Sequence, residues 1–295
     1  MPTVGIVSPG AMGSALAHAL AVGGARVVAS LSGRSERTER LAKRSGVELL
    51  PDLAAVIREA DVVLSVVPPE HATAVAEDVL SATAGEPEPP LFVELNAVAP
   101  VTVVRIDAAA AATGVELVDG SISGPPPWTA GTTRLYLSGS RADEVAGLPF
   151  EGVETIVVGP HVGAASAVKM STASVYKGTS ALLAHALLAA EANGVLAPVL
   201  SDLRTGSPET VANVARRLAA AAAKSDRYVA EMREIAATQA AAGLTPALFD
   251  AMADVFTALS ASELARSAPE EIAPDATLDD VLAGLHDARR ADVGS

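Results

Sequence analysis

The ten residues Val4 to Gly13, V-G-I-V-S-P-G-A-M-G, join a short apolar run to a glycine turn and then to a helical pattern. Few folds accept that order. A strand that enters such a turn and opens a helix brings free backbone N–H groups and the positive end of a helix dipole to one point, a setting for phosphate. After Gly13, S-A-L-A-H-A-L-A-V-G-G reads as a helix of small residues ending at Gly23-Gly24, and Ala25 to Leu31 as a second strand. This βαβ unit has the length of a dinucleotide-binding motif. The G-x-G-x-x-G fingerprint is incomplete, because Ser8 stands at the first glycine while Gly10 and Gly13 hold the second and third. Ser8, Gly10, Ala11, Met12 and Gly13 are expected to cradle a pyrophosphate. The plainer alternative is an ordinary strand–turn–helix connection.

Further apolar runs at Val62–Val67, Leu91–Leu95 and Val115–Val118 follow at βαβ spacing, then Arg134–Leu137 and Thr155–Val158 around a short acidic helix at Ala142–Ala146. The alternation predicts an α/β Rossmann domain, a mostly parallel doubly wound sheet, over residues 1–160. From Gly163 the pattern changes. Ala165–Ala192, Glu209–Ala223, Asp226–Ala242 and Pro246–Arg266 carry helical periodicity, so residues 161–295 are expected to form an all-α domain. Pro198, Gly206-Ser207-Pro208, Gly243 and Pro269 punctuate it, and residues 287–295 read as a frayed tail.

Composition narrows the function. A formal charge of −14 over 295 residues argues against a nucleic-acid partner and leaves any phosphate site dependent on local charge. The absence of cysteine excludes disulfide and thiolate chemistry, and the five histidines show no zinc spacing, so no metal site is expected. No signal peptide or long uninterrupted apolar helix is evident; a cytoplasmic protein without a membrane partner is expected.

The end of the second strand selects between dinucleotides, since an acid there binds a ribose 2′-hydroxyl and repels a 2′-phosphate. Here the chain reads Ser30-Leu31-Ser32-Gly33-Arg34-Ser35. Ser32, Arg34 and Ser35 supply hydroxyls and a planar cation suited to phosphate, which favours NADP(H) over NAD(H). The alternative is that Arg34 and Arg37 merely begin the charged helix Glu36–Lys43. At the ends of two later strands, Val67 and Pro68 are placed to wall a ribose, and Asn96 to hydrogen-bond the nicotinamide end or to hold its own turn.

The segments S-P-G-A-M-G, A-D-V-V-L-S-V-V-P-P, E-L-N-A-V-A-P, D-G-S-I-S-G and G-A-A-S-A-V-K, in this order over about the first 180 residues, resemble the β-hydroxyacid dehydrogenase family. That family includes 3-hydroxyisobutyrate and 6-phosphogluconate dehydrogenases and is related to imine reductases. The continuation K-M-S-T-A-S-V-Y-K-G-T-S-A-L-L is similar to a less characterised branch with a distinct helical C-terminal domain. The resemblance implies an NADP-dependent oxidoreductase acting on a carbonyl or alcohol of a small-molecule substrate, in a cleft between the domains. Lys169 is the implied general acid/base, and a homodimer through the helical domain the implied assembly. Two competing readings are C=N reduction of the imine-reductase type and a non-catalytic dinucleotide sensor on the same fold.

Two departures bear on the substrate. Where simple hydroxyacid enzymes carry asparagine one turn after the lysine, this chain has Thr172 and Ala173; Thr172 and Tyr176 share the helical face of Lys169 and are the replacement candidates. In the substrate loop, Ser123 and Gly124 match the family pattern, but Pro125 offers no N–H. Three prolines then present Trp128, read either as a wall of the substrate pocket or as a plug between the domains.

Overall fold

The computed structural model describes residues 1–266 and 276–285. Pro269 and the tail 287–295, to which the sequence assigns a break and fraying, lie outside the described residues. The chain divides into two compact units, Met1–Met170 and Ser171–Ser295.

In the first unit the elements run β1 (Thr3–Val7), α1 (Ala11–Val22), β2 (Arg26–Ser30), α2 (Glu36–Ser45), β3 (Glu48–Leu50), α3 (Leu53–Glu59) and β4 (Val62–Ser65). They continue with α4 (Ala72–Ala82), β5 (Leu91–Glu94), α5 (Pro100–Ala112), β6 (Leu117–Ser123), β7 (Thr133–Ser138), α6 (Ala142–Ala146), β8 (Val153–Gly159) and the start of α7 (Ala164–Ala192). The strands form one sheet in the order β3-β2-β1-β4-β5-β6-β7-β8. All neighbours pair in parallel except β6 with β7. The order reverses between β1 and β4, which is where open α/β sheets bind ligands beyond their strand C-termini.

Alternation along each strand divides the core in two. Val4 and Ile6 face one side with Leu16 and Leu20 of α1 and with Leu135 and Leu137 of β7. Val7 and Val63 face the other with Ile57, Phe92, Val103 and Ile106. Burial on both faces is why the parallel strands read as continuous apolar runs in the sequence. The three-residue edge strand β3 is too short to stand out as one. The first unit ends ten residues beyond the expected boundary, because the first turns of α7 are bound to β6 and β7 rather than to the helices that follow.

The second unit contains the rest of α7, then α8 (Leu196–Gly206), α9 (Pro208–Val211), α10 (Val214–Ala222), α11 (Ser225–Ala241), α12 (Ala247–Ser260) and α13 (Leu278–Gly284). Two helical details differ from the sequence expectation. Pro198 lies in the first turn of α8, where its missing N–H has no intrahelical acceptor to lose, so it opens a helix rather than breaking one. The expected helix Glu209–Ala223 is two, split where Asn213 takes a left-handed φ of 55°. The core of this unit includes Leu187, Leu218, Met232, Ile235, Phe256 and Leu259.

Candidate functional site

At the C-terminus of β1 the backbone turns through Ser8, which adopts a φ of 68°. The incomplete fingerprint therefore keeps the left-handed conformation that a glycine takes freely, at a cost of about 1–2 kcal/mol for a residue with a Cβ. The turn is closed by the Gly10 N–H, which donates to the Ser8 carbonyl at 2.8 Å, and by the Ser14 hydroxyl, which donates to the Pro9 carbonyl. Gly13 has a steric reason to be glycine: a Cβ there would lie 2.5 Å from the Ser8 carbonyl oxygen. Gly10 has none from the protein itself, since no atom lies within 4 Å of where its Cβ would stand. The space above Gly10 is open. Behind it α1 begins with no side-chain cap and no acid in its first turn, so the helix dipole and the N–H groups of its first turn, from Ala11 to Gly13, point at that space unmodified. Met12 packs partly into the core and so contributes backbone here rather than side chain.

Beside the turn, a cleft of about 90 Å³ is lined by Ser8, Ser30, Ser32, Arg34 and Asp78, with Leu53, Val56 and Val75 as apolar wall. The β2 exit is shaped by the Ser30 hydroxyl, which accepts from the Ser32 N–H at 3.2 Å, and by the Arg34 N–H, which donates to the Leu31 carbonyl at 3.0 Å. Arg34 is exposed and forms no ion pair among the described residues. Ser35 sits at the same exit but caps α2, its hydroxyl accepting from the Thr38 N–H at 3.3 Å.

Across the switch point, Asn96 is buried and ties two strand ends together. Its Oδ1 accepts from the Val67 N–H at 2.6 Å and its Nδ2 donates to the Ser65 hydroxyl at 3.0 Å. Pro68 stands exposed just after Val67. The Asn96 N–H donates to Glu94 Oε1 at 2.9 Å, while Glu94 Oε2 has no hydrogen-bond partner among the described residues. Burial pushes the Glu94 carboxyl up to about 8 against the lowering effect of the Asn96 hydrogen bonds, and the neighbouring Asp119 charge raises it further. Glu94 belongs to a fully buried row across four strands, Ser65, Glu94, Asp119 and Ser138, each the register partner of the next. The acid within L-F-V-E-L was a signal that sequence reasoning passed over.

The same row positions Lys169. Asp119 Oδ2 accepts from the Ser138 hydroxyl at 2.9 Å, the Gly163 N–H at 2.9 Å and the Ser166 N–H at 3.1 Å, and Oδ1 accepts from the Ser166 hydroxyl at 2.7 Å. A carboxylate so placed at the start of α7 satisfies orphan N–H groups and complements the dipole. The Ser121 hydroxyl donates to the Ala165 carbonyl at 2.8 Å and fixes the helix from a second side. One turn on, Lys169 Nζ donates to the Ile122 carbonyl at 2.7 Å. That carbonyl immediately precedes Ser123 and Gly124, so the lysine and the loop expected to hold a substrate acid group are brought together. Gly124 has a φ of 122°, and a Cβ there would lie 2.4 Å from the Thr132 carbonyl oxygen.

Trp128 packs within the first unit. Its ring packs on His18 of α1, with centroids 5.4 Å apart, and the Arg44 guanidinium of α2 lies 4.3 Å over it. The ring is thus held against two helices of the first unit by stacking and cation–π attraction. Thr172 and Tyr176 belong to the second unit. Thr172 is half-buried, and Tyr176 is 71% exposed.

Residues 3–87 match the family model described as NADP oxidoreductase coenzyme F420-dependent, and residues 190–259 match a domain of unknown function, DUF1932. An uncharacterised 28.5 kDa protein encoded in the 7S RNA 5′ region of Methanothermus fervidus is 29% identical over 173 residues, 59% of this chain. The match spans 65% of that relative's length, just under two thirds. Among solved structures, the conserved protein MTH1747, of unknown function and described as structurally similar to 3-hydroxyacid dehydrogenases, aligns with a TM-score of 0.67 and 28% identity. The alignment covers 88% of this chain and 96% of that one. Mycobacterium tuberculosis 3-hydroxyisobutyrate dehydrogenase shares the fold with a TM-score of 0.67 at 21% identity, over 98% and 99% of the two chains. With its 3-2-1-4-5-6 strand order, glycine turn and trailing helical unit, the chain has the fold of the β-hydroxyacid dehydrogenase-like proteins and carries a DUF1932 region.

Proposed function

We propose that the protein is an NADP-dependent oxidoreductase that interconverts a carbonyl and an alcohol, with Lys169 as general acid/base. The observation that carries this reading is the cradle at Ser8–Gly13: a strained left-handed turn, open space over Gly10 and an uncapped helix N-terminus aimed into it. A pyrophosphate fits that donor set. Arg34, with Ser30 and Ser32 in the adjoining cleft, supports a 2′-phosphate over a free 2′-hydroxyl. The nicotinamide, when bound, supplies or accepts hydride at the substrate carbon.

The chain's own residues handle the proton and the orientation. Reduction leaves negative charge on the substrate oxygen, and the Lys169 ammonium, steadied by the Ile122 carbonyl, stabilises that charge and donates the proton. In oxidation the neutral amine takes the proton back. Ser123 and Gly124 are assigned to the substrate acid group, with one N–H fewer than the family pattern because of Pro125. Thr172 and Tyr176, at i+3 and i+7 from Lys169 along α7, are the candidates for holding the substrate oxygen. A homodimer through that unit belongs to the same reading, supported by Leu182, which α7 leaves 63% exposed; light scattering on the purified protein tests it.

The decisive experiment titrates NADPH and NADH by fluorescence, then follows nicotinamide absorbance with 2- and 3-hydroxyacids, aldehydes, ketones and cyclic imines. Lys169→Ala should keep NADPH affinity and lose about 10²-fold or more in kcat/KM. Full activity in that variant would refute the assignment. Turnover confined to cyclic imines would move the reaction to C=N reduction, and tight NADPH binding without turnover on any of the panel would favour a sensor.

A further inference from the structure

The helical unit contains a pocket of about 520 Å³ formed by α7, α9, α10 and α11. We propose that it binds an organic acid whose body is apolar or aromatic. The volume lies within the range of small-molecule sites. Its charge follows in part from an ion-pair cluster: Glu231, 4% exposed, is paired with Lys177, which lines the pocket, and with Arg227, whose side chain is 55% exposed. Two cations on one carboxylate give that cluster a net positive charge beside the pocket. Lys177 and Arg227 also lie 4.6 and 5.7 Å from the ring centroid of Tyr228, which lines the same pocket.

Arg217 adds a second positive group. It lines the pocket half-buried, and its guanidinium has no hydrogen bond or ion pair among the described residues. A partly desolvated guanidinium without an acceptor is costly, and a carboxylate satisfies it bidentately. The one acid of the lining, Glu209, is exposed to solvent and screened. Tyr176 and Tyr228 with Val175, Ala220 and Ala221 give the lining an apolar and aromatic part suited to a hydrocarbon or ring rather than to a bare inorganic anion, and Thr179, Ser180 and Thr210 add hydroxyls. In a chain of net charge −14, a positive concavity with aromatic walls selects an anion against the long-range field, so recognition depends on these contacts at short range.

The inference does not depend on the hydride-transfer reading and is tested without turnover. Calorimetric titration of the full chain would use 3-phenylpropionate and 4-methylpentanoate, their amides, and inorganic phosphate. Both acids should bind in the millimolar range or tighter, with the amides and phosphate at least about tenfold weaker. Arg217→Gln should weaken acid binding at least about tenfold with an unchanged circular dichroism spectrum, and Arg217→Lys should weaken it less. Should Arg217→Gln fail to fold, the comparison of acid with amide on the unaltered chain decides. Absence of acid binding, equal affinity for acid and amide, or tighter binding of phosphate would each overturn the proposal. NADPH titrated in parallel keeps the two readings apart: cofactor binding without acid binding removes only this one, and the reverse removes only the other.

Discussion

Replacing Glu94 with glutamine should stabilise the protein in a way that depends on pH. A carboxyl whose folded-state pKa is about 8, against an ordinary value of 4.5, keeps its proton in the fold while the unfolded chain releases it. Between those values the unfolded state binds fewer protons, so stability falls as pH rises. Each pH step is worth about 1.4 kcal/mol, which sets a ceiling of about 3 kcal/mol at pH 7 and about 5 kcal/mol by pH 8. Below pH 4.5 the acid is protonated in both states and the cost vanishes. Glutamine is uncharged throughout. Its amide can still accept from the Asn96 N–H, and any cost of placing an N–H₂ where Glu94 Oε2 has no partner among the described residues is independent of pH. Urea unfolding of both proteins from pH 4 to 9, with the difference in unfolding free energy plotted against pH, isolates the titration from all other groups. The difference should climb in favour of the variant from about pH 4.5 and level off near pH 8. A pH-independent difference would refute a protonated Glu94, and a climb in favour of the wild type would mean that the buried carboxylate is ionised and stabilised by a partner.

Other perturbations test separate parts of the structure. Arg34→Asp should weaken NADPH binding about tenfold or more and shift the NADPH/NADH affinity ratio toward NADH, since the variant places like charge beside a 2′-phosphate; an unchanged ratio would sink the 2′-phosphate assignment. Ser8→Gly should raise unfolding free energy by about 1 kcal/mol by relieving the left-handed serine, with the NADPH affinity retained; a loss in denaturant midpoint would show that the serine side chain itself matters. Lys177→Met should cost about 1–3 kcal/mol, because it removes one of the two cations paired with the buried Glu231 and leaves only the exposed Arg227. A chemical denaturation midpoint within error of wild type would contradict burial of that pair.

Much of this molecule was legible from neighbours along the chain. The apolar runs, the glycine turn and the helical periodicity after Gly163 locate most strands and helices because each is set by contacts a few residues apart. The elements that escaped include β3 with three residues, α8, where Pro198 in the first turn reads as punctuation, the short α13, and the α9–α10 break, where a single left-handed Asn213 interrupts an otherwise helical pattern. The residues of the glycine turn and the β2 exit fall side by side as expected. Ser35 and Asn96, however, have their polar groups engaged within the fold, and Trp128 stacks on helices that no spacing rule connects to it.

By itself, the sequence determined the α/β-then-α order and the position of the phosphate turn, since strand, turn and helix chemistry are short-range properties. Only the tertiary structure decided that Ser8 holds a left-handed turn against Gly13, that Asp119 anchors the start of α7 and so presents Lys169 to Ile122, and that Glu94 lies in a buried row beside Asp119. Each of these joins residues through sheet register or helix docking, with up to 47 positions between partners. Their energies come from burial and from hydrogen bonds that exist only once distant segments are in place.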